Sequence, residues 1–270
     1  MSRLIVNLCW AILLILSGCA HQPDIRSPQH RQAMEWAIQG EKAYLNGKME
    51  QSRQYFEQAL QLNTSIENVH GIASNTLSLA QINLDRGEYA QAEAKLQFIL
   101  GDKNHLLAGS DKADAAARSA RLALLLKQPA KAAESAQQAQ ILCKDSGCTL
   151  GAAILNLHAQ AALALGLIQE SADLARQAGA MAEKAQQPVE LANSRRLQGE
   201  IRLRQKSAAM AVPLLEQALS LDKQLGLANK IAEDLHLLAD TKESLGQHEE
   251  AESYRGRERA IRMVLGEKGQ

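Results

Sequence analysis

Thr76–Leu100 reads TLSLAQINLDRGEYAQAEAKLQFIL. Leu77, Ala80 and Leu84 fall on one helical stripe before Gly87, and Tyr89, Ala92, Leu96, Ile99 and Leu100 fall on another after it. The stretch therefore predicts two helices joined by a glycine turn. Neither helix can bury its stripe alone, so a hairpin this rich in Ala and Leu needs a neighbour stacked on it.

The neighbours are present. Aligned on the turn, the same slot falls at Gly47, Gly87, Lys127, Gly166, Lys206 and Gly246, at intervals of 40, 40, 39, 40 and 40 residues. Five positions after each turn stands a small residue: Ser52, Ala92, Ala132, Ser171, Ala211 and Ala251. Seven positions before each turn stands another: Gly40, Ala80, Ala120, Ala159, Gly199 and Ala239. Small side chains let helices approach closely, so the two series are expected to face each other across each hairpin.

The first hairpin resembles the tetratricopeptide repeat (TPR), with Trp36, Gly40, Tyr44, Gly47, Phe56 and Ala59 at that family's spacing. The resemblance covers residues 32–265 and implies an all-α fold, a right-handed α-solenoid of about six antiparallel helical hairpins. Two departures stand out. The period here exceeds the family's usual one of about 34, and no proline closes the repeat, where Thr64 stands instead. The longer period implies longer helices or loops and resembles the 40-residue subclass found in adaptors that bind extended peptides. Trp36 is expected in the core. Arg255 and Glu258 occupy slots that are normally apolar, as suits a terminal repeat with a wet outer face.

Composition agrees with a helical array. The chain is 46% hydrophobic but only 3% aromatic and holds five prolines, which leaves no β-rich stretch to compete. Thirty basic residues balance thirty acidic ones, so nothing argues for nucleic acid or an anionic membrane surface as partner.

Residues 1–18 read as a signal segment: Arg3 is followed by the mostly apolar run from Leu4 to Leu16, shorter than the roughly 20 residues that span a bilayer. The junction Leu16-Ser17-Gly18-Cys19 resembles the lipobox of bacterial lipoproteins. That resemblance implies that Cys19 becomes the N-terminus and carries diacylglycerol and an amide-linked acyl chain such as palmitate. Such anchoring draws about 0.8 kcal/mol from each buried methylene. Ala20 is not the Asp that retains many such lipoproteins in the inner membrane, which implies the periplasmic face of the outer membrane in a Gram-negative cell. Residues 19–31, the lipidated Cys and the segment AHQPDIRSPQH beyond it, read as a tether, and residues 266–270 as a tail.

The mature chain keeps two cysteines, Cys143 and Cys148, spaced around Lys-Asp-Ser-Gly. In an oxidising periplasm they are expected to form a structural disulfide; the open alternatives are a redox-active pair or a metal site. Chemical motifs are otherwise lacking. Gly40–Lys48 mimics a phosphate loop with the wrong spacing and no preceding strand. The seven histidines never pair at metal-ligand spacing, and the mature chain has no Gly-x-Ser-x-Gly elbow. No enzyme activity, cofactor or metal is expected.

In the TPR family, the positions three before and one after the first small residue touch ligand in the concave groove. Carried over, these slots hold Ala37 and Glu41, Leu77 and Gln81, Ala117 and Arg121, Asn156 and Gln160, Arg196 and Glu200, and His236 and Asp240. Arg118, one turn from Arg121, joins them. The candidate partner-binding set is thus Arg118, Arg121, Asn156, Gln160, Arg196, Glu200, His236 and Asp240. Against it stands a reading in which both Arg118 and Arg121 belong to a solvated face paired to acids such as Asp114 or those of a neighbouring repeat, and in which His236 is a helix-packing or surface residue.

Two functions follow. One is a lipid-anchored periplasmic scaffold that binds a polypeptide partner, as family members do in pilus or secretin assembly, outer-membrane protein insertion or control of peptidoglycan enzymes. The other is a regulatory or sensory protein that takes a small anionic ligand or short peptide in the groove.

Overall fold

The computed structural model describes residues 27–104 and 106–265. The signal segment 1–18, Cys19, most of the tether and the tail 266–270 lie outside the described residues. Twelve helices and no strand occur among those described: α1 (Pro28–Leu45), α2 (Met49–Ser65), α3 (Val69–Asp85), α4 (Tyr89–Leu100), α5 (Gly109–Leu125), α6 (Pro129–Ser146), α7 (Gly151–Ala164), α8 (Ile168–Lys184), α9 (Pro188–Arg204), α10 (Ala208–Leu225), α11 (Ala228–Ser244) and α12 (His248–Val264). Consecutive helices pack as antiparallel hairpins, and hairpins stack in chain order into an all-α solenoid. None of the described helices is long and apolar enough to cross a membrane.

Each hairpin turns through three residues, and the middle one is the slot that set the register. Gly47, Gly87, Lys127, Gly166, Lys206 and Gly246 all have positive φ, between 56° and 78°. This left-handed backbone is open to glycine and strained for a side chain, which explains four glycines in six turns. It also closes the first helix: at the second turn, the Glu88 N–H donates to the Asn83 carbonyl at 2.8 Å.

The two series of small residues do meet. The helices of each pair pack along them, and Gly40, Ser52, Ala159, Ser171, Gly199 and Ala211 are all buried. Two of the contacts are hydrogen bonds: the Ser52 hydroxyl donates to the Gly40 carbonyl and the Ser171 hydroxyl to the Ala159 carbonyl, both at 2.7 Å. Where a bulky residue sits opposite, glycine is required. A Cβ on Gly40 would lie 3.0 Å from the Phe56 ring, and one on Gly199 would lie 2.6 Å from Leu215. The excess over a 34-residue period resides mainly in helices of 17 or 18 residues.

Departures from the expected pattern are local, and the expected disulfide and wet last repeat stand beside them. Helix α1 starts at Pro28, inside the stretch assigned to the tether, because Ser27 caps it by accepting the His30 N–H at 3.1 Å and proline suits a first helical position. Trp36 is half-buried, stacked on Tyr55 with ring centroids 5.6 Å apart, since no described hairpin packs ahead of it. Helix α4 stops at Leu100, and the longer loop that follows is tied by Asp102, which accepts the Leu107 N–H at 2.9 Å. Cys143 and Cys148 form a disulfide across the left-handed Gly147 and clip the end of α6 to the loop before α7. At the far end α12 buries only Ala251, while Arg255 pairs with Glu243 and Glu252.

A Cβ at Gly87 would meet nothing within 4 Å, so substitution there tests the backbone alone. Gly87→Ala is expected to lower unfolding free energy in urea by about 1 kcal/mol, and Lys206→Gly to raise it by roughly 0.5 kcal/mol. Equal stability for Gly87→Ala would contradict the assigned turn.

Candidate functional site

Helices α3, α5, α7, α9 and α11 contact one another directly in sequence, α3 with α5, α5 with α7 and onward, whereas α4, α6, α8, α10 and α12 do not. The first helix of each hairpin therefore lies on the inner, tighter side of the curve. That side carries two joined hollows. One, of about 410 Å³, is walled by Ala37, Ile38, Tyr44, Phe56 and Ser78; the other, of about 450 Å³, by Asp114, Asn156, Gln160, Glu190 and Asn193. Gln81 and Arg118 line both, so the hollows form one trough running from α1 to α11.

Four of the predicted residues, Arg118, Arg121, Asn156 and Gln160, converge in this trough. Their charges are answered from within. Arg118 grips Asp114 with two bonds, at 2.7 and 3.1 Å, and donates to the Gln81 side-chain carbonyl at 2.8 Å. Arg121 donates to Asp85 at 3.0 Å. Asp85 is a hub: it also accepts from Gln81 at 2.9 Å and from the Tyr44 hydroxyl at 2.6 Å. Burial first, and that hydrogen bond second, push the Tyr44 hydroxyl up to about 12.

Asn156 is 3% exposed. Its amide donates to both the backbone carbonyl and the carboxylate of Glu190, at 3.0 and 2.9 Å, while its own side-chain carbonyl is buried without a donor among the described residues. A buried acceptor in that state is uncommon and calls for a cause.

The remaining four residues part company. Arg196 is 3% exposed and lies behind the trough wall. It donates to Asp234 at 2.6 Å, to Asp222, and to Asn193 at 3.0 Å, locking α9 to α10 and α11. It cannot meet a ligand while that lock holds, which corrects its assignment to the groove surface. Glu200 keeps the inner register one turn on from Arg196, and burial first, then Glu233, push its carboxyl up to about 7. His236 and Asp240 sit at the α11–α12 end, away from the Arg118 cluster. His236 faces Glu258 at 3.3 Å and Asp240 at 3.5 Å.

Slot arithmetic did not single out Asp85, Glu190, Asn193 or Lys230, which also shape the trough. Glu190, Asn193, Leu197 and Glu200 follow helical spacing on α9, a signal that marks one face without saying which face.

A larger hollow, about 760 Å³, opens beside the disulfide between α6, α7 and α8, lined by Ile154, Leu155, Leu174 and Met181. It is mainly apolar, and none of its buried side-chain polar atoms among the described residues lacks a partner. No group of His, Cys, Asp and Glu among the described residues could hold a metal.

No family model and no curated protein matches the chain. Solved structures do match in fold. Apo RapI aligns with a TM-score of 0.72 at 14% identity, over 91% of this chain and 88% of that one. A Rap protein complexed with Competence and Sporulation Factor gives 0.72 at 16%, over 90% and 66%. A signal-transduction ATPase with a tetratricopeptide repeat sensor, from Pyrococcus horikoshii, gives 0.63 at 13%, over 82% and 33%. The chain thus has a TPR-like fold.

Burial also raises the carboxyls of Asp222 and Asp234, the latter to about 6. Together with Glu200 they hold protons more tightly folded than unfolded, so the stability they contribute is full below about pH 4 and declines as pH rises through about 6 and 7. Arg196→Met leaves two buried carboxylates facing each other and is expected to cost about 3–5 kcal/mol. Urea unfolding should show a greater loss at pH 8 than at pH 5. A cost below about 1 kcal/mol, or one independent of pH, would contradict the lock.

Proposed function

We propose that the chain is a non-catalytic scaffold that receives an extended stretch of a partner polypeptide in its inner trough. Lipid on Cys19 then holds that partner at the periplasmic face of the outer membrane, in an envelope assembly. One observation carries the reading: a trough crosses several repeats on the inner side and sets amide and charged side chains, among them Gln81, Arg118, Gln160 and Glu190, along a largely apolar wall. An extended backbone presents N–H and C=O groups at regular spacing that such side chains can bond.

The similar fold of a Rap protein complexed with Competence and Sporulation Factor supports the view that such a solenoid accommodates a bound factor. A small anion suits the site less well, because Arg118 and Arg121 already satisfy Asp114 and Asp85. The disulfide agrees with an oxidising compartment.

Site-specific photocrosslinking in native envelopes tests this. A crosslinker at Gln160, in the trough, is expected to give one discrete polypeptide adduct, and one at the exposed Gln137 of α6 none. Adducts from Gln137 alone would move the interface to the outer helices. Cys19→Ala should release the protein from the membrane fraction; retention there would refute the lipid anchor.

A further inference from the structure

The trough's cations are paired within the chain, whereas the Glu190 carboxylate on its wall is not paired with a cation. Arg118 is closed by Asp114, Arg121 by Asp85, and Lys230 by Glu233 at 2.9 Å. Glu190, by contrast, is held only by neutral amides: Asn156 at 2.9 Å and Asn193 at 3.4 Å. No ion pair joins it to a cation among the described residues. These two amides fix its carboxylate on the trough wall without neutralising it.

An anionic ligand would find every trough cation engaged and would meet the uncompensated Glu190 carboxylate. A ligand bearing ammonium or guanidinium groups would find charge-assisted hydrogen bonds waiting.

We infer that the segment bound in the trough is basic, with a Lys or Arg side chain seated against Glu190. The inference rests on the trough reading above and adds the chemistry of the partner.

The purified protein is panned against a displayed library of random twelve-residue peptides, beside Glu190→Gln and Gln160→Trp. Circular dichroism confirms that each variant is folded. Recovered peptides are expected to be enriched at least threefold in Lys and Arg. The Glu190→Gln variant should lose that enrichment, and Gln160→Trp should lose capture altogether. Neutral or acidic peptides that still require an open Gln160 would overturn the basic-ligand inference and leave the trough standing. Capture indifferent to Gln160→Trp, or no capture, would remove the trough reading and this inference with it.

Discussion

Close approach of small residues inside each hairpin is the constraint on which the rest depends. Helices of about 17 residues would otherwise stand apart on Leu and Phe side chains. Gly40 under Phe56 and Gly199 under Leu215 remove the Cβ that would hold them off. Where serine replaces alanine, its hydroxyl finds the facing carbonyl, so the tight contact leaves no polar group unmet. With the hairpins thin and alike, they stack at a constant step, and the first helices are drawn together along one side. The trough is a consequence of that packing, not a separate invention.

Electrostatics divides the inner side into two parts. Toward α3 and α5, the Asp85 and Asp114 networks bind their arginines into a closed, neutral lattice that fixes the trough floor. Toward α9 and α11, one buried guanidinium serves two buried aspartates, and burial raises the Glu200 carboxyl. The first part is self-sufficient. The second keeps Glu190 without a cation, and a surface poised in that way recognises by charge as well as by shape.

Much of this was legible in the sequence because the turn demands a left-handed residue. Gly47, Gly87, Gly166 and Gly246 gave the register directly, and period alone identified Lys127 and Lys206 in the same strained turn. The inner slots put Arg121, Asn156 and Gln160, and one position outside them Arg118, along one hollow, since they depend only on that register. Pairing was not legible. Arg196 occupies the same slot as Asn156, yet its partners Asp222 and Asp234 lie 26 and 38 residues away, and only packing shows that they swallow it. Glu190 escaped notice for a related reason: it matters through Asn156, 34 residues earlier and one repeat over. The start of α1 was readable in retrospect, for Ser27-Pro28 is a cap followed by a first-turn proline.

The measurement that tests the central claim most directly is side-chain amide NMR of the protein titrated with the polypeptide segment that crosslinks in the trough. Binding there should shift the Asn156 side-chain amide resonances, together with backbone signals of α5, α7 and α9, while α6, α8 and α10 stay put. Shifts confined to the outer helices, with Asn156 unmoved at saturation, would contradict the account.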